Sequence, residues 1–309
     1  MPRSATLTLN PAIDKSCSVE QVVAERKLRC GKPTYHPGGG GINVARAIHE
    51  LGGEVSTYWT GGGTTGELLT QLLDDPGIEH HRIAISAMTR ENLVVFEQSS
   101  GQQFRFGMPG TPLTEEEIQT CVDRLQAIDP PPEYLVLSGS LPPGVDEGLY
   151  ARIARAADPA CRVVLDTSGQ PLHLGLQGPI YLIKPNLREL GQLAGGSIEG
   201  DSQIREAAQS LIEQGRVQVV VTSLGSKGAT LTTDGEHEHI RAPTVRIRSK
   251  VGAGDSTVAG IVFSLCQEKS ITDAVRYGVA AGAAAVMTGG TELCRRKDTE
   301  RLYREMTES

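Results

Sequence analysis

From Thr114 to Gly228 the chain alternates short apolar runs with helical stretches, and that rhythm admits few folds. The runs Tyr134–Leu137, Arg162–Leu165, 180–183 and Val217–Val221 have the length and composition of buried strands. Between them the pattern predicts helices from Thr114, opened by a Thr-x-x-Glu capping box ending at Glu117, and over 147–157 and 202–214. Alternation of this kind builds an α/β sandwich: a mostly parallel central sheet with helices on both faces. Nearly every strand runs into a polar loop, among them Ser138-Gly-Ser-Leu-Pro-Pro-Gly144, Asp166, Lys184-Pro-Asn-Leu-Arg-Glu189 and Ser223-Leu-Gly-Ser-Lys-Gly228. The C-terminal ends of parallel strands lie along one edge, so these loops converge on one cleft.

The opening strand, with Ala5, Leu7 and Leu9 alternating with threonines, ends at Asn10-Pro11, and Asp14 follows its end. Two segments break the rhythm. Residues 15–36 are polar and mixed, and 88–108 holds a hairpin of Leu93–Glu97 and Gln103–Phe106. Within one domain spanning 1–309, these segments are expected to form a small β lid over the cleft. Isolated hairpins carrying Leu93, Val95, Phe96 and Phe104 are marginal in water, which favours a partner surface. Arg90 stands just before the hairpin, and Lys27 and Arg29, two apart, point to one face of an extended chain.

Two glycine motifs open helices. Pro37-Gly-Gly-Gly-Gly-Ile-Asn43 leads into apolar positions Val44, Ala45, Ile48 and Leu51, closed by Gly52-Gly53. Gly252-Ala253-Gly254-Asp255 leads into Val258, Ile261, Val262 and Leu265. A helix start presents unpaired amides and the positive dipole end, and glycine lets an anion approach them. A carboxylate at that place makes more sense as a base than as an anion ligand, although taken alone Asp255 reads equally as an N-cap. Gly61–Gly66 formally matches G-x-G-x-x-G. The first strand lacks that fingerprint and no acidic residue ends a clear next strand, so a dinucleotide fold is rejected.

The net charge of −7, without any basic run, gives no attraction for nucleic acid or an anionic membrane surface. No segment approaches a membrane span, and the N-terminus does not read as a signal peptide. Six scattered cysteines without a C-x-x-C read as free thiols of a reducing compartment, so the expected location is cytoplasmic.

Gly38–Asn43, Lys184-Pro-Asn-x-x-Glu189 and Gly252-Ala-Gly-Asp255 together resemble the PfkB family of carbohydrate kinases, whose fold is ribokinase-like. The resemblance runs from about residue 5 to the C-terminal helix. Thr6–Leu9, Lys27–Cys30, Pro37–Arg46, Ser138–Gly144, Val251–Asp255 and Gly278–Gly282 are similar to its 6-phosphofructokinase branch. Gly40 stands where 1-phosphofructokinases and tagatose-6-phosphate kinases usually have Lys.

The resemblance implies phosphoryl transfer from ATP to the C1 hydroxyl of fructose 6-phosphate, a glycolytic step, with Mg²⁺ as cofactor. It implies Asp255 as the base, with the amides of Gly252, Ala253 and Gly254 on the transferred group. Asp14, Gly38, Gly39, Asn43 and Ser138 fall to the sugar, and Arg90, Lys27 and Arg29 to its 6-phosphate. Lys184, Asn186, Glu189, Ser223, Gly225 and Gly228 fall to the nucleotide, Asn186 and Glu189 ordering the water shell of the metal. A K⁺ ion held by the backbone of Ser249 and Val251 is also implied, although Ser249-Lys250-Val251 replaces the Asp-Thr of many members. Glu292 falls where a relative carries a basic residue. A homodimer pairing the two lids is implied as well. The rival readings are a kinase of the same fold acting on fructose 1-phosphate or tagatose 6-phosphate, and a catalytically silent sugar- or nucleotide-binding regulator. The silent protein would have lost its base, whereas Asp255 and both its glycines are intact.

Overall fold

The apolar runs do pair side by side. The computed structural model describes residues 3–308. Its strands are β1 (Ser4–Thr8), β2 (Ala12–Val19), β3 (Thr34–Gly38), β4 (Val55–Gly61), β5 (Glu79–Ala84), β6 (Arg90–Glu97) and β7 (Gln103–Phe106). They continue with β8 (Tyr134–Ser138), β9 (Arg162–Asp166), β10 (Ile180–Ile183), β11 (Val217–Ser223), β12 (Ala229–Thr233) and β13 (Glu236–Ile240). The helices are α1 (Gly40–Glu50), α2 (Gly63–Asp74), α3 (Glu115–Gln126), α4 (Leu149–Ala156) and α5 (Gln170–Gly175). After them come α6 (Leu187–Ala194), α7 (Asp201–Glu213), α8 (Ala253–Cys266), α9 (Ile271–Val286) and α10 (Arg296–Thr307).

Nine strands form the central sheet in the order β13-β12-β11-β10-β9-β8-β1-β4-β5. All neighbours are parallel except at the β11–β12–β13 end, where the pairing is antiparallel. Alternate residues serve opposite layers, as the two-residue period of a strand requires. On β8, Tyr134 and Val136 join a core with α1, α8, α9 and α10, while Leu135 and Leu137 join a second core with α3, α4 and α7. Helix α8 is more deeply buried than its apolar stripe foretells: every residue from Val258 to Leu265 is buried. The reason is close contact with α9. A Cβ at Gly260 would lie 2.9 Å from both Ala281 Cβ and Gly278 Cα. No helix among the described residues is long and apolar enough to cross a membrane.

The remaining strands form a separate sheet ordered β3-β2-β6-β7. The chain passes straight from β1 into β2, so Asp14 lies inside a lid strand rather than in a loop. Opposed residues share a face. The register puts Lys15, Cys17, Tyr35, Leu93, Val95, Phe104 and Phe106 on one face. Asp14, His36 and Asn92 lie on the other. The lid is anchored at its base, where Ile13 packs with Trp59, Leu69 and Leu73. Beyond that base it is open, with Phe106 47% exposed.

Candidate active site

At the start of α8, Gly252 takes the left-handed conformation (φ 72°), and a Cβ there would meet Leu293 Cδ2 at 2.5 Å. The cap is backbone alone, so Asp255 is not the N-cap. The helical ladder begins with Ser256 N donating to Gly252 O (2.8 Å), which leaves the preceding amides of the turn without ladder partners. Asp255 Oδ2 instead accepts a hydrogen bond from Asn43 Nδ2 at 2.9 Å, tying α8 to the glycine-opened helix α1. Arg46, one turn along α1, donates to Asn43 Oδ1 (3.3 Å) and to Pro37 O (3.0 Å).

Two strand ends supply the facing charges. Lys184, just past β10, pairs with Asp166 at the end of β9 at 3.2 Å. Its Nζ would be 3.4 Å from a Cβ at Gly254, so the missing side chain there lets the ammonium sit against the helix start. Burial alone would lower Lys184, but Asp166, Asp255 and Glu189 outweigh it and hold the ammonium above its ordinary value. Burial, then the negative charge of Asp166, push the Asp255 carboxyl from 3.8 to about 6, against the opposing pull of Asn43, Lys184 and Arg46. The outcome is a carboxylate that still ionises at neutral pH and is basic enough to accept a proton.

A cavity of about 330 Å³ brings Asp255 together with Gly40, Ser138, Lys184, Asn186, Glu189 and Ser223. Asn186 and Glu189 form a reciprocal capping box on α6: Asn186 Oδ1 accepts from Glu189 N and Glu189 Oε2 from Asn186 N, both 2.9 Å. Gly225 and Gly228 are not among the residues lining that cavity. Gly228 (φ 96°) is needed for backbone packing, since a Cβ would meet Ile240 O at 2.0 Å.

The glycine motif near residue 40 is explained by crowding. A Cβ at Gly40 would lie 2.3 Å from Ser138 Oγ, and one at Gly38 2.5 Å from Asp14 Oδ2. Asp14 Oδ1 accepts from Asn92 Nδ2 at 2.9 Å. Arg90, the first residue of β6, is fixed by donation to Met108 O (2.9 Å) and Asn10 O (3.0 Å), while its buried Nε has no partner. Gly39 (φ 117°) completes the turn into α1.

Lys27 and Arg29 lie in the exposed loop between β2 and β3 and not on a strand. Ala12 pairs with Arg90, whereas Ser18, six residues on, is bonded to Gly31 at the loop's end. At about 3.3 Å per residue that is roughly 20 Å along the lid. The loop that carries Lys27 and Arg29 thus leaves the lid near the end of β2 opposite to the Ala12–Arg90 pair. Asp166, Arg46 and Asn92 went unassigned from sequence. Asp166 was signalled by its strand-end position and Arg46 by its spacing of three from Asn43; Asn92 gave no signal before the strand register was known.

Ser249 and Val251 sit in a segment tied to the end of α9 by Arg248 N to Val286 O (2.7 Å) and Ser249 Oγ to Gly290 O (2.8 Å). Glu292 pairs with Arg295 at 2.7 Å.

The family model for pfkB family carbohydrate kinases matches residues 7–298. A Mycobacterium tuberculosis relative, ATP-dependent 6-phosphofructokinase isozyme 2, is 43% identical over 98% of this chain and 89% of its own length. Phosphofructokinase-2 from Escherichia coli, solved with potassium, superposes with a TM-score of 0.95 at 40% identity, covering 99% of this chain and 100% of its own. The same enzyme solved with fructose-6-phosphate gives 0.93 at 39% identity and the same coverage. With its sheet order, its lid and the glycine turn that opens α8, the chain belongs to the pfkB family of carbohydrate kinases and has the ribokinase-like fold.

Proposed function

We propose that this protein transfers the γ-phosphate of ATP to the C1 hydroxyl of D-fructose 6-phosphate, giving fructose 1,6-bisphosphate in the cytoplasm. The observation that carries the reading is Asp255, raised to about 6 at the start of α8 and facing the cavity beside Lys184. Asp255 takes the proton from the attacking hydroxyl. The amides of Gly252, Ala253 and Gly254 meet the charge on the transferred group, and Lys184 neutralises phosphate oxygens as a point charge. The 6-phosphofructokinase relative and the fructose-6-phosphate complex support the substrate. So does the crowding at Gly40, which leaves no space for the lysine of the sister branches.

Asp14, Gly38, Gly39, Asn43 and Ser138 are assigned to the sugar and Arg90 to its phosphate, a role its buried, unpaired Nε suits. Ser223, Gly225 and Gly228 are assigned to the nucleotide side. Glu189 keeps Oε1 clear of its capping bond, and among the described residues no cluster of three His, Cys, Asp or Glu could cage a metal. Both suit Mg²⁺ carried on the nucleotide and reached through water by Asn186 and Glu189. When bound, that ion neutralises charge between the phosphates. For K⁺, the candidate ligands are the carbonyls of Ser249 and Val251, and the buried, unpartnered hydroxyl of Thr291 beside Gly290 suits an ion nearby.

The lid completes a single-domain enzyme and pairs with a second copy through its apolar face. In such a homodimer Lys27 and Arg29 serve the sugar phosphate of the partner subunit. Arg90→Ala and Arg29→Ala chains, each impaired alone, are then expected to recover activity when refolded together.

The direct test is ADP release from Mg-ATP with fructose 6-phosphate, fructose 1-phosphate and tagatose 6-phosphate. Turnover highest with fructose 6-phosphate, and abolished in Asp255→Asn, is the expected result. Preference for another sugar would overturn the substrate and leave the mechanism. Full activity in the variant would overturn the mechanism.

A further inference from the structure

The lid carries chemistry that phosphoryl transfer does not use. Gly31 N donates to Ser18 O at 2.8 Å, so residues 18 and 31 stand opposite each other. Side chains two apart on a chain share a face, which makes Cys17 and Cys30 diagonal neighbours on one face. Cys30 lies close enough to Cys17 to perturb its thiol. Cys30 is exposed at the end of the loop, and Cys17 is half-buried on β2. Burial, followed by the neighbouring Cys30, raises the Cys17 thiol.

The loop between them is held only near its ends. Val22 N donates to Glu97 Oε1 at 2.6 Å on one side, and Gly31 is bonded to Ser18 on the other. Residues 24–31 are all exposed, and Lys27 and Arg29 lie among them. Cys30 is the immediate neighbour of Arg29.

We propose that Cys17 and Cys30 form a thiol–disulfide switch, oxidised by low-molecular-weight disulfides, that pins this loop to β2 and weakens sugar-phosphate binding. The exposed Cys30 thiolate attacks the small disulfide, forming a mixed disulfide and releasing one small thiol. Cys17, losing its proton, then attacks the Cys30 sulfur, closing the protein disulfide and releasing the second small thiol. Two protein thiols are oxidised and one small disulfide is reduced to two thiols. Diagonal neighbours are farther apart than the directly opposed pairs that fit a disulfide best, so the bond shifts the loop and is readily reduced. The effect on binding rests on the sugar-phosphate kinase reading above; formation of the bond does not.

The test is incubation of the full-length protein with oxidised glutathione, followed by non-reducing peptide mass analysis and kinetics. The tryptic peptide Ser16–Arg26 is expected cross-linked to Cys30–Arg46, since the Lys32–Pro33 bond resists trypsin, with two hydrogens lost. The oxidised enzyme is expected to show a KM for fructose 6-phosphate raised about tenfold or more, as when charge-assisted contacts are lost. KM for ATP should hold, dithiothreitol should restore the original value, and Cys17→Ser and Cys30→Ser should each abolish both the cross-link and the reversible shift. Only glutathione adducts, or a cross-link that leaves KM unchanged, would overturn the switch. Reduced protein inactive on every sugar phosphate would count against the kinase reading, while the cross-link would still be judged by mass.

Discussion

The cleft edge of the nine-stranded sheet and the four-stranded lid contribute to the same site under opposite conditions. Asp166 and Lys184 stand at the ends of strands covered on both faces, and Asp255 on a helix buried nearly all round. The lid holds Asp14 and Arg90 at its anchored base, then extends into solvent with one apolar face open. The contrast follows from the role proposed for each part. A base raised to about 6 needs a rigid, dry frame in which neighbouring charges act at low dielectric. Groups that only grip a substrate can ride on an element that pairs, bends or closes over the cleft.

The largest expected effect sharpens this division. Asp255→Asn should lower kcat by roughly 10²–10⁴-fold with little change in KM for fructose 6-phosphate. The same change should stabilise the fold above neutral pH. The folded chain keeps the Asp255 proton up to about 6, against 3.8 when unfolded. This group's contribution is therefore full below the unfolded value and lost as pH rises through the folded one. Replacing it should add about 3 kcal/mol at pH 8, read by denaturant titration. A variant that is both inactive and less stable would break the claim that the frame strains its base.

Next is Lys184→Met, which removes the ammonium that offsets the charges of Asp166 and Asp255. Stability is expected to fall by about 3 kcal/mol, as when one member of a buried pair is removed. The acid limb of the kcat profile, set near pH 6 by Asp255, should move to higher pH, because activity needs the ionised form. An unmoved limb would mean that another group sets it. Arg90→Ala belongs to the lid and should behave differently. KM for fructose 6-phosphate is expected to rise about tenfold or more with kcat nearly held. A loss mainly in kcat would erase the distinction between the two regions. Smallest in its effect on the fold, Phe106→Asp puts a charge on the open lid face. It should convert the proposed dimer to monomer in sedimentation, with the melting temperature changing by a few degrees at most.

Much of this was legible in the sequence, for particular reasons. The strand runs at 134–138, 162–166 and 180–183 were found within a residue because buried parallel strands read as unbroken apolar runs. The capping box at Thr114–Glu117 was visible because both partners lie within one turn. Charge pairs between elements were not. Asp166 with Lys184 and Asn92 with Asp14 join residues far apart in sequence, and only strand order and register bring them together.

Sequence alone therefore determined the layered α/β architecture and the cleft along one sheet edge, since periodicity carries that information. The reading of Asp255 as a base came from the family resemblance, local helix chemistry reading it equally as a cap. Tertiary structure decided that Asp255 is not a cap, since its partner Asn43 comes from another helix. It decided the value of its pKa, which depends on burial and on Asp166. It also decided that the loop of Lys27 and Arg29 leaves the lid near the end of β2 opposite to Arg90, because that is fixed by the path of the chain and not by spacing in sequence.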